Sequence, residues 1–189
     1  MTRIEFDPIT VGEKEFGWWK AHFEGNKEQM LRSLLEHNML LFGLNQDEAR
    51  EALMVLAEST RYHDSHDWPK ATETVRNYYR IIKGKTGLNF DPQKAAELEV
   101  GWWKTHDELE GNPDKSELAK NFAELYAEIF SLEPEQLKVA GEIKAQATLE
   151  HDLAESPKTS LEELEAHWQK TRELLVKFYQ ELQEAISSK

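Results

Sequence analysis

The sequence predicts an all-α fold: two tandem copies of a three-to-four-helix unit, forming two pseudo-symmetric helical bundles packed together. Three observations carry this. Segments recur at nearly constant spacing, apolar residues recur at helical period, and strand patterning is poor because Val and Ile are scarce and no alternating run is long. Phe6-Asp7-Pro8 returns as Phe90-Asp91-Pro92, Gly17-Trp18-Trp19-Lys20 as Gly101-Trp102-Trp103-Lys104, and His22 as His106, all 84 residues apart. Further on the spacing is 88: Phe42 matches Phe130, His63-Asp64 matches His151-Asp152, and Pro69-Lys70 matches Pro157-Lys158. Residues 1–87 form the first repeat on this reading. Residues 88–189 form the second, with an extended C-terminal helix.

The elements follow in order. The first helix of each copy opens after Asp7-Pro8 or Asp91-Pro92, an N-cap acid followed by a proline suited to the first turn. Ile9, Gly12, Phe16, Trp19 and Phe23 form its apolar stripe, and Gly25 or Gly111 ends it. The second helix is expected to turn Leu31, Leu34, Leu35, Leu41 and Phe42 inward, with Leu118, Phe122, Leu125, Ile129 and Phe130 as counterparts. Gly43 suits a left-handed C-cap. The third begins at Asn45, where Glu48 completes a capping box, and in the second copy near Pro134. It is rich in small residues, from Ala49 and Ala52 to Ala140 and Gly141, which admit close helix approach. The fourth is short in the first copy, through Val75, Tyr78, Tyr79 and Ile82, before a turn-rich link from Gly84 to Asn89. In the second copy Ser160 and Glu163 open a long helix to about Ser187. Leu161, Trp168, Leu175 and Leu182 lie on its seam. At ~1.5 Å per residue it reaches about 40 Å, enough to clamp both repeats or to offer a seam for a homodimer.

Composition narrows the function classes. A net charge of -13 disfavours nucleic acid and anionic membranes as partners. The absence of cysteine excludes disulfides, thiolate metal sites and cysteine nucleophiles. No apolar run suggests a membrane span or signal core, so a cytoplasmic location is expected. Gly84-Lys85-Thr86 lacks the glycine that a phosphate-binding loop needs five residues earlier, where Tyr79 stands.

One polar constellation remains. Glu15, Trp18 and His22 share one side of the first helix, as Glu99, Trp102 and His106 do on its counterpart. On the third helix His63 and Asp67 are i, i+4, as are His151 and Glu155, with Asp64 and Asp152 beside the histidines. Imidazole and carboxylate one turn apart can hold a divalent metal. They equally make structural ties, His22 to Asp64 and His106 to Asp152. Trp18 and Trp102, with Glu15 and Glu99, form a candidate pocket wall for a flat ligand where the two stripes meet. The expected function is a non-catalytic module that binds another protein or a small ligand. The alternatives are a metal-dependent His/carboxylate enzyme, or a carrier of a flat molecule in a Trp-lined cavity between the repeats.

Overall fold

The computed structural model describes residues 5–188, and residues 1–4 and 189 lie outside it. Eight α-helices follow one another among the described residues: α1 Pro8–Phe23, α2 Lys27–Phe42, α3 Gln46–Asp64, α4 Trp68–Thr86, α5 Pro92–Glu108, α6 Ser116–Phe130, α7 Lys138–Glu155 and α8 Leu161–Ser187. A 3-10 turn, Pro134–Leu137, leads into α7. No described helix is long and apolar enough to cross a membrane.

The helix ends follow from their cap chemistry. Asp7 accepts from the N–H groups of Ile9 and Thr10, and Asp91 accepts from that of Gln93, each with proline in the first turn. Asn45 with Glu48 and Ser160 with Glu163 form reciprocal capping boxes. Gly43 caps α2 in the left-handed conformation, at φ 65°. In the matching place after α6 a non-glycine, Ser131, adopts φ 53°.

One boundary differs from the sequence expectation. Gly84, Lys85 and Thr86 belong to α4 rather than to the link, and Gly87 at φ 69° is the terminator. Gly84 has open space around its α-carbon and only weakens the last turn, whereas Thr86 ties that turn by donating to the Ile82 carbonyl at 2.8 Å.

Each helix packs on its neighbours in the chain, and α8 closes back on α1. The result is a ring of helices around a shared centre. Its weakest seam is α2 on α3 and its most extensive is α7 on α8. The expected α8 seam is turned inward: Trp168 is 1 % exposed and Leu175 and Leu182 are fully buried, while Leu161 at the helix start is 84 % exposed. The long helix is thus a clamp within the chain. Its apolar stripe is not a free dimer face.

Close approach sets two seams. A Cβ on Gly12 of α1 would stand 2.7 Å from the Val176 Cα on α8, so α1 and α8 touch backbone to backbone there. Gly141 of α7 lies likewise against the Ala119 carbonyl of α6. By contrast, Gly101 of α5 faces open space. Gly12→Ala is therefore expected to cost about 1–3 kcal/mol through overpacking against backbone. Gly101→Ala should stabilise by up to about 1 kcal/mol through helix propensity alone. Urea unfolding midpoints of the two variants check the opposite signs.

Candidate functional site

At the centre of the ring Lys144 from α7 is 3 % exposed, and both oxygens of Glu15 from α1, itself 5 % exposed, accept from its ammonium at 2.7 and 2.8 Å. Aromatic rings surround the ammonium, with Phe178 centred 4.5 Å away, Tyr126 5.2 Å and Phe122 5.5 Å. The Tyr179 hydroxyl of α8 donates to Glu15 at 2.7 Å, so its oxygen is left to accept from His37 Nε2 of α2, also at 2.7 Å. Burial pushes the Glu15 carboxyl up, but Lys144, His37 and the Tyr179 hydroxyl together more than offset this and hold it below its ordinary value. Burial drives His37 down to about 4, helped by the Lys144 charge and opposed by Glu15.

Glu99, on the matching face of α5, has a different setting. The Tyr79 hydroxyl donates to it at 2.9 Å, and the indole N–H groups of Trp102 and Trp103 also favour its charge. No lysine or arginine pairs with it among the described residues. Burial wins, and its carboxyl is raised. Its remaining surface opens onto two cavities. The inner one, about 110 Å³, lies at the ring centre and also touches Glu15, His37 and Lys144. The outer one, about 480 Å³, lies among α1, α2, α3, α5 and α7.

The outer cavity brings the two predicted stripes together. Trp18, Trp19 and His22 of α1 line it alongside Glu99, Trp102, Trp103 and His106 of α5. His63 of α3 and His151 and Glu155 of α7 complete the polar lining, while Met30, Leu31, Leu34, Leu53, Leu56 and Ala57 supply an apolar wall from α2 and α3. Glu15 lines the inner cavity and is engaged by Lys144.

The other predicted residues separate into two groups. One expected tie forms: His106 Nε2 donates to Asp152 Oδ1 at 3.1 Å, and Lys115 donates to Asp152 Oδ2 at 2.7 Å. His151 Nε2 stands 3.2 Å from Glu155, and its Nδ1 stands 3.6 Å from Asp152. Those carboxylates overcome burial and raise His151 to about 9, while Asp152 is held far below its ordinary value despite burial. The other expected tie, His22 to Asp64, is not formed. Asp64 is exposed, with His63 as its neighbour at 3.6 Å. Asp67 caps α4 and pairs with Lys70 at 2.8 Å, so it is directed away from His63. His63 turns to α5 instead, with Asp107 at 3.4 Å and the Trp103 ring at 5.5 Å. The Glu155 carboxyl of α7 is lowered chiefly by its contact with His151 and further by His22, which thus acts on α7 and not on Asp64 of α3.

Sequence reasoning missed Lys144, Lys115, His37 and the two tyrosines. The tyrosines carried one readable signal: Tyr78-Tyr79 on α4 and Phe178-Tyr179 on α8 are both adjacent aromatic pairs within helices.

No protein-family model, curated protein or solved structure matches the chain.

Two outcomes follow from the central network. Lys144→Met strands the Glu15 charge and is expected to cost about 3–5 kcal/mol. The Glu15→Gln/Lys144→Met pair should recover most of that loss, because Gln still accepts from Tyr179. Chemical denaturation of the parent protein, both single variants and the pair measures the coupling. His37 also links stability to pH. Its folded value lies below the unfolded one of ~6.5, so the unfolded chain takes the proton first. Its contribution, about 2–3 kcal/mol, is full above ~6.5 and is lost as pH falls toward about 4. In His37→Gln this part of the acid sensitivity should vanish, as thermal melts across that window will read.

Proposed function

We propose that the protein is a small-molecule-binding module whose ligand is flat, largely apolar and carries a basic nitrogen. The observation that carries this reading is the outer cavity itself. Four tryptophans and the unneutralised carboxylate of Glu99 converge on about 480 Å³ of space, within the ~300–1,000 Å³ of small-ligand sites. Indole faces attract a desolvated organic cation, and a buried carboxylate that no lysine or arginine contacts directly, Lys144 acting on it only from across the inner cavity, supplies its counter-charge.

The asymmetry of the two halves supports the same reading. We take the chain to be a tandem duplication, residues 1–87 and 88–189, whose copies face each other across the cavity. Glu15 and Glu99 are then equivalent, and each accepts from an equivalent tyrosine, Tyr179 or Tyr79. By the spacing of 88 that relates His63 to His151, Leu56 stands where Lys144 stands in the other half. One glutamate keeps its lysine and serves the fold, while the other has lost it and is free for a ligand. Flat walls from Trp18 and Trp102 and the apolar residues of α2 and α3 would hold the rest of the molecule.

Isothermal calorimetry with 9-aminoacridine, a flat monocation, tests this against 1-anilinonaphthalene-8-sulfonate, a flat anion. The cation is expected to bind with one site per chain and at least tenfold more tightly than the anion. Glu99→Gln should weaken it by about tenfold or more, and Trp18→Ala/Trp102→Ala by a similar factor. Equal binding of the two dyes, or cation affinity unchanged in Glu99→Gln, would contradict the reading.

A further inference from the structure

Among the described residues one group of histidine and carboxylate side chains has its ligand atoms all within 4.8 Å of one another: His106, His151 and Asp152. We propose that these three bind a divalent first-row metal ion, of zinc type, with its open coordination position facing the Trp-lined cavity. Two ligands held ~2.0–2.1 Å from a tetrahedral ion stand about 3.3 Å apart. His106 Nε2 lies 3.1 Å from Asp152 Oδ1, and His151 Nδ1 lies 3.6 Å from the same oxygen, so both edges bracket that value.

The second observation is an orphan. His151 Nδ1 is buried and makes no hydrogen bond, although it sits between the Trp19 and Trp168 rings at 5.1 and 5.5 Å, which fix the imidazole edge-on. Its other nitrogen, Nε2, faces Glu155 at 3.2 Å. On metal entry His151 gives up its Nδ1 proton to solvent, and the neutral imidazole, with Nε2–H donated to Glu155, then presents Nδ1 as the lone pair a metal requires. Asp152 is prepared in the same way. Lys115, which also donates to the Leu109 carbonyl at 2.6 Å, holds Oδ2 and leaves Oδ1 toward the two histidines. On metal entry His106 loses its Nε2 proton to solvent and keeps a proton on Nδ1, the nitrogen 4.0 Å from Asp107, so that the freed Nε2 lone pair takes the ion in place of the bond to Asp152.

A nitrogen–oxygen set without thiolate suits zinc, cobalt or nickel rather than a soft ion. The first half offers no equivalent, because Asp64 is exposed and His63 is turned to Asp107, so one ion per chain is expected. His106 and His151 both line the outer cavity, so the vacant position is reachable from it. This inference stands on its own geometry and does not depend on the ligand reading above.

The test is Co2+ titration of untagged, chelator-treated protein, followed by visible absorption and then by displacement with Zn2+. One equivalent should give the intense bands of four-coordinate cobalt and be displaced by zinc. His106→Gln and His151→Gln should each weaken binding at least a hundredfold. Glu155→Gln, which leaves all three ligands in place, should weaken it by about 10–100-fold, and His66→Gln, at an exposed position, should not change it. Circular dichroism confirms that each variant is folded, and if a ligand variant is not, Glu155→Gln carries the decision. Absence of a zinc-displaceable cobalt spectrum, or unchanged affinity in His151→Gln or Glu155→Gln, overturns the proposal.

Discussion

An ammonium buried inside a cage of aromatic rings must be neutralised, and Glu15 of α1 is the group that pairs with it. The Lys144–Glu15 pair joins α7 to α1 across the centre, while Tyr179 brings α8 and His37 brings α2 onto the same carboxylate. The first two helices and the last two thus depend on one charge pair. Its geometry is well satisfied: both carboxylate oxygens are used, and the tyrosine hydroxyl both donates and accepts. Such pairs add less to stability than to uniqueness, because any packing that separates them leaves a bare charge in an apolar interior.

The rest of the architecture is arranged around that centre. With α1 drawn onto α7 and α8 at Gly12 and Lys144, its Trp18–His22 face is presented inward to the matching face of α5. Helices cannot fill the space between two rows of indoles as densely as aliphatic side chains would, and an open cavity results. Its chemistry is sorted by position. The neutralised glutamate lies at the inner end, the uncompensated Glu99 lies between the two cavities, and the histidines His22, His63, His106 and His151 line the outer one. The His106–His151–Asp152 group lies beside this space.

How much of this was legible depends on whether the cause is local. Helix starts at Asp7, Asn45, Asp91 and Ser160 are cap chemistry, decided within four residues, and they read correctly. The end of α4 was misplaced because Gly84 and Gly87 are equally good stops by composition, and only the backbone angle at Gly87 distinguishes them. The stripe of Glu99, Trp102 and His106 was readable from helical period. Its Glu15 twin was readable as a position but not as a buried ion pair. Lys144 sits in a segment of mixed polarity and looks solvent-facing; its burial is caused by α1, α6 and α8, which the sequence of α7 does not contain. The same reason hid the cross-pairing of His63 with α5 and of His22 with Glu155, since a helix face specifies a direction and not a neighbour.

The most direct measurement of the central claim, that the space between the two tryptophan faces is a binding site, is fluorine NMR of the protein labelled with 5-fluorotryptophan. The six tryptophans divide naturally: Trp18, Trp19, Trp102 and Trp103 line the outer cavity, whereas Trp68 and Trp168 lie outside it. On titration with 9-aminoacridine the account predicts saturable shifts in the four cavity resonances and little change in the other two. Shifts confined to Trp68 or Trp168, or no saturable shift in any resonance, would contradict it.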